Sequence, residues 1–131
     1  MAFNITNSFL IFIFVVFYTF SLPLADTTPS IVHLISKMDN GTEPVKIKCK
    51  VDGKIGADLT LKSGQDLPFK VIVNDTYACA AIWGLKIASI DAFEPKRDKG
   101  YPIMYWRVAK DGFYLSWNKI DFKFIAGWDS E

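Results

Sequence analysis

Residues 45–52 read Val45-Lys46-Ile47-Lys48-Cys49-Lys50-Val51-Asp52, and their alternation decides the fold class. Val45, Ile47, Cys49 and Val51 are interleaved with Lys46, Lys48 and Lys50 without a break. Successive side chains of a strand point to opposite faces, so the pattern predicts a half-buried strand with one apolar and one basic face. A helix would spread the same residues around its axis. Burial on one side is the habit of antiparallel sheets.

The same alternation recurs on both sides of this stretch. Upstream, residues 31–36 are rich in β-branched side chains and predict a first strand, closed by Asn40-Gly41. Downstream, turn chemistry at Asp52-Gly53-Lys54 with Gly56 and at 63–66 frames a short strand over 58–62 and another over 67–74. Residues 76–85 (Thr-Tyr-Ala-Cys-Ala-Ala-Ile-Trp-Gly-Leu) are almost continuously apolar and predict a central strand covered on both faces. The chain stays extended over 86–93, then enters a dense charged loop over 94–100. Alternating runs at 103–109 and 113–118, joined by Lys110-Asp111-Gly112, predict a hairpin. A last strand is expected over 120–125, with Phe122, Phe124 and Trp128 as packing groups. Short strands at this spacing, with no helix beyond a turn or two, predict an all-β sandwich or barrel.

The N-terminal part has a different character. Residues 9–20 hold no charge and lead to Ser21 and Ala25, which reads as a secretory signal with cleavage near one of those small residues. The apolar run is too short to span a bilayer comfortably. Residues 1–7 contain no Lys or Arg, so an uncleaved signal anchor is the alternative. The expected organisation is a signal peptide over 1–25 and one domain over 26–131, without stable membrane association after cleavage. Fifteen Lys and Arg against 14 Asp and Glu leave the chain near neutral. It therefore lacks the bulk basic footprint of a nucleic-acid binder.

Export places the two cysteines in an oxidising compartment, where pairing of Cys49 with Cys79 is the default. Free thiols or an intermolecular bridge are the alternatives. Asn40-Gly41-Thr42 and Asn74-Asp75-Thr76 are N-glycosylation acceptor sequences at predicted turns.

Catalytic groups are sparse. The single histidine, His33, falls between Val32 and Leu34 and should face away from them, toward solvent. Neither a triad nor a two-histidine site can be assembled from it. Asp39 with Glu43 and Asp91 with Glu94 are carboxylate pairs in loop contexts, where solvated charge is the ordinary reading. No metal-ligand spacing or phosphate-binding glycine loop is present, so neither a metal, a cofactor nor catalysis is expected. The lysine row reads as a solvated face that also discourages edge pairing, with a partner-binding strip as the alternative. The charged loop is the better recognition surface, because binding residues sit preferentially on loops of a rigid scaffold. Its candidate contacts are Glu94, Lys96, Arg97, Asp98 and Lys99.

The pieces, taken in order, resemble the plant self-incompatibility S-protein family, the S-protein homologues. The resemblance is carried by Val32-His33-Leu34, Ile47-Lys48-Cys49-Lys50, and Asp58-Leu59 with Leu61 and Gly64, where Thr60 replaces a family glycine. It continues through Tyr77-Ala78-Cys79 with Trp83, Asp91-Ala92-Phe93 with Lys96-Arg97-Asp98, Trp106-Arg107-Val108, and Asp111-Gly112-Phe113-Tyr114-Leu115. It implies a small secreted β-sandwich of about seven to nine strands without known enzymatic activity. It also implies a role as an extracellular ligand, as in the pollen-rejecting members that a cell-surface receptor recognises. The family usually has four cysteines, and here Met104 stands at one position of the later pair. That departure implies a divergent branch relying on one bridge.

The expected protein is thus a monomeric, secreted, non-catalytic ligand of a cell-surface protein receptor. The alternatives are a secreted defence-type toxin or hydrolase acting on walls or microbes, and a carbohydrate-binding module using Tyr101 or Tyr105. For the cysteines the expectation is direct: unreduced, denatured secreted protein should show no reactive thiol. Two reactive thiols would reject the bridge.

Overall fold

The computed structural model describes residues 29–130, so the signal segment lies outside the described residues. These residues form β1 (Ser30–Ser36), β2 (Val45–Val51), β3 (Lys54–Leu61), β4 (Asp66–Val71), β5 (Tyr77–Trp83), β6 (Lys86–Phe93), α1 (Pro95–Asp98), β7 (Ile103–Ala109), β8 (Gly112–Ser116), β9 (Lys123–Ala126) and β10 (Asp129–Ser130). Two five-stranded sheets result, ordered β4-β1-β7-β8-β9 and β10-β6-β5-β2-β3. Their apolar faces enclose one core, and the architecture is a β-sandwich. Among the described residues no helix is long and apolar enough to cross a membrane.

Local chemistry sets the turns. Asp52 (φ 51°) and Gly53 (φ 74°) both take positive φ, as the tight turn between β2 and β3 demands. In the β7–β8 hairpin the two turn residues are Lys110 and Asp111, and Gly112 already belongs to β8 opposite Ala109. Gly112 is required by proximity as well as by its φ of 145°. A Cβ there would lie 2.2 Å from the carbonyl oxygen of Ala126 on β9. Tyr114 donates to the Asp111 carboxylate across the same hairpin, which raises its phenol above the ordinary tyrosine pKa.

The alternation in β2 is realised as expected. Val45, Ile47 and Cys49 are buried, whereas Lys46, Lys48 and Lys50 are exposed. Cys49 sits directly opposite Cys79 on β5, and the two form the disulfide on the inner face. From the other sheet, Trp106 reaches into the core with no exposed surface, and its Nε1 donates to the Ala92 carbonyl of β6 at 2.9 Å. Trp128 packs on Phe113 and Trp83, with its Nε1 bonded to the Ala109 carbonyl.

Five expectations are corrected. Strand β3 begins at Lys54, not at 58, because the turn needs only Asp52 and Gly53, and Lys54, Ile55 and Ala57 already pair with β2. The strand over 76–85 is not covered on both faces: Ala78, Ala80 and Ile82 of β5 look outward. The sheet has a partner layer on one side only, and alanines can be exposed at little hydrophobic cost. Strand β2 is no edge. It is paired by β3 on one side and β5 on the other, so its lysines have no free edge to discourage. The strand expected over 120–125 is β9, which begins only at Lys123 and is followed by the short β10; Ile120 and Phe124 are exposed, while Phe122 is half-buried. Finally, β1 and β7 pair in parallel, an exception in an otherwise antiparallel sandwich. The two strands are far apart in sequence, and β7 enters this sheet by crossing from β6 of the other, so no tight turn fixes their relative direction.

Closing a loop across a sequence separation of 30 stabilises the fold by roughly 3–4 kcal/mol in the chain-entropy model. Replacing both cysteines with Ala should lower unfolding stability in urea by about that amount. Gly112→Ala should cost about 3 kcal/mol or more through the collision with Ala126, against about 1–2 kcal/mol for Gly64→Ser, where no atom crowds the new Cβ and only the positive φ of 77° is strained. Equal unfolding midpoints for the two glycine variants would contradict the packing described.

Candidate functional site

The charged loop is built as a one-turn helix. Glu94 is its N-cap, Pro95 opens the first turn, and the Glu94 carboxylate accepts from the Arg97 backbone N–H at 2.8 Å. An acid before a proline, ahead of a charged turn, is the sequence signal that could have revealed this helix.

Asp98 organises the corner. It is the buried acid of the chain's described part, with no exposed surface. Its Oδ2 accepts from the Glu94 backbone N–H (2.9 Å) and from Arg97 Nη2 (2.7 Å). Its Oδ1 accepts from Arg97 Nε (2.9 Å) and Trp117 Nε1 (2.9 Å). A buried carboxylate is tolerable only when paired and hydrogen-bonded, and here both oxygens are doubly used. Arg97 is held further by the Asp91 carbonyl (2.6 Å) and lies over the Trp106 ring, 5.4 Å from its centroid.

The five loop residues therefore divide by role. Asp98 is withdrawn from any partner, because it is fully buried. Arg97 is half-buried and engaged internally, and Glu94 is spent on the cap. Lys96 and Lys99 project into solvent.

Trp117 joins this corner to the β8–β9 loop. Its ring packs against Tyr101 at 5.3 Å, and together with Asn118, Asp121, Phe122 and Lys123 they line a groove of about 440 Å3. The loop beneath is cinched by Ser116 and Asn118. Ser116 Oγ accepts from the Asn118 and Lys119 backbone N–H groups, and Asn118 Oδ1 from those of Ile120 and Asp121. Tyr101 is 45% exposed, and Arg107 covers the Phe122 ring. The sequence reading of the charged loop missed this aromatic groove. Tyr101 and Trp117 are sixteen residues apart in number and meet only because β7 and β8 bring the two loops to one end.

The other candidates lie elsewhere. His33 is half-buried on the outer face of its sheet, with Nδ1 2.8 Å from Asp66 Oδ1 and its ring stacked on Tyr105. Asp39 pairs with Lys110. Asn40 and Asn74 are both exposed at turns. Among the described residues, no group of three or more His, Cys, Asp or Glu side chains could hold a metal ion.

Comparison with known proteins gives three findings. The chain matches the family described as plant self-incompatibility protein S1 over residues 31–128. A solved structure of a self-incompatibility protein homologue, described as one of a widespread family of small, highly stable, secreted plant proteins, is similar with a TM-score of 0.58. That likeness covers 78% of this chain and 97% of the other at 12% identity, so it speaks to the fold. No curated protein matches the sequence. The family match takes in β1 from its second residue, every strand from β2 to β9 and the corner around Asp98, and the chain belongs to the plant self-incompatibility protein S1 family.

Proposed function

We propose that this protein is a secreted, non-catalytic ligand read by a cell-surface protein receptor, with the α1 corner as its recognition surface. One observation carries the reading: Asp98 is buried at the joint of the two sheets and fastens α1 so that Lys96 and Lys99 stand outward beside the Tyr101–Trp117 groove. A loop held this way loses little entropy on binding, which favours specific recognition. Solvated lysines at the rim suit steering and partner discrimination. Family membership and the secreted character of the structural relative support export. The two exposed turn asparagines, Asn40 and Asn74, are the proposed glycan carriers.

Two variants separate contact from scaffold. Lys96→Glu with Lys99→Glu should leave the thermal midpoint unchanged and abolish saturable binding of the labelled protein to intact plant cells, pollen included. Asp98→Asn should instead lower stability by about 3 kcal/mol, because the buried amide nitrogen would face two donors in place of an accepting oxygen and the Arg97 guanidinium would lose its carboxylate partner. Unchanged binding by the double lysine variant would refute the corner as the contact surface. Turnover of glycan or RNA by the purified protein, lost in His33→Ala, would establish a hydrolase instead.

A further inference from the structure

We propose a second binding site on the outer face of β2, β5 and β6, shaped for a carboxylated polysaccharide chain. Lys46, Lys48 and Lys50 stand in one exposed row on an interior strand, spanning about 13 Å at strand rise. None of the three takes part in an ion pair among the described residues. The strand register places Lys50, Ala78 and Asp91 in one cross-strand row and Lys48, Ala80 and Ser89 in the next. The middle strand carries only methyl groups in these rows, so a trough about two strand spacings wide, near 10 Å, opens between lysines on one bank and Ser89 and Asp91 on the other. Lys48, Lys50, Ala78, Ala80, Ser89 and Asp91 line a groove of about 680 Å3, and Lys46 continues the basic bank beyond its end, in the row of Ile82 and Ile87.

The chemistry of the banks selects the occupant. Three ammonium groups in file suit a linear chain bearing repeated carboxylates. Opposite them, the Ser89 hydroxyl and the Asp91 carboxylate suit hydroxyl groups, and Asp91 repels a chain that offers negative charge on every side. Sugar acids carry both functions on each unit; acidic peptides carry only one. The face holds no aromatic ring on which a nucleic-acid base could stack. Asp58 of β3 faces Lys48 from the far side of the row and leaves Lys46 and Lys50 as the least opposed charges. An anionic membrane is the rival occupant, because Ile82, Leu85 and Ile87 are exposed at the hairpin end of this face.

The test measures binding of the full secreted protein to polygalacturonate, its methyl-esterified form, poly-glutamate and anionic phospholipid vesicles at about 0.15 M salt. Binding to polygalacturonate is expected, at least about tenfold weaker for each other probe. Replacing Lys46, Lys48 and Lys50 together with Gln should weaken it about tenfold or more, with an unchanged thermal midpoint. Ala80→Phe, which fills the trough but keeps every lysine, should do the same; Ala78→Leu replaces it if that variant does not fold. No binding to polygalacturonate, equal binding to any of the other three probes, or wild-type affinity in the triple-lysine variant would overturn the proposal. Wild-type affinity in the trough-filling variant would overturn it as well.

Discussion

The carboxylate of Asp98 is the constraint on which the working end of this molecule depends. A charge without solvent exposure must be fully bonded or the structure around it fails. The protein meets that demand by drawing donors from three places: the end of β6, the helix α1, and Trp117 beyond β8. Each donor belongs to a different segment, so satisfying one charge locks three segments in register. The Trp106 indole works alongside it, spanning from β7 to the Ala92 carbonyl of β6 beneath the Arg97 guanidinium. Rigidity at this corner is thus an electrostatic necessity more than a packing preference.

The remainder of the sandwich is a simpler matter of apolar faces. The disulfide and the buried positions of β2 and β5 hold one sheet's inner surface, and Trp106, Phe113 and Leu115 fill the space from the other. The outward side of the same strands is where the molecule departs from an ordinary solvated surface. Lysines on an interior strand beside alanines make a basic bank along a shallow floor.

Much of the scaffold was legible because alternation with period two is a local signal. It placed β2 and β7 closely, separated His33 from Val32 and Leu34, and put Cys49 on the inner face. Turn chemistry located the β2–β3 and β7–β8 hairpins. Failures came where the deciding partner is remote. The run over 76–85 looked doubly covered because composition does not say whether a second layer exists. The loop over 94–99 looked wholly solvated because charge near charge in sequence resembles a surface, and only Trp117 and Arg97 together show that Asp98 is interior.

The sequence alone determined the class of fold, the one-sided burial of β2, the cysteine pair, and a family resemblance that the match over residues 31–128 bears out. Those properties follow from near-neighbour periodicity and from having only two cysteines to join. Tertiary structure alone decided the parallel pairing of β1 with β7 and the interior position of β2. It also decided the burial of Asp98 and the meeting of Tyr101 with Trp117. These depend on which distant strands become neighbours, and strand order is set by the shared core of two sheets, a quantity that no local pattern contains.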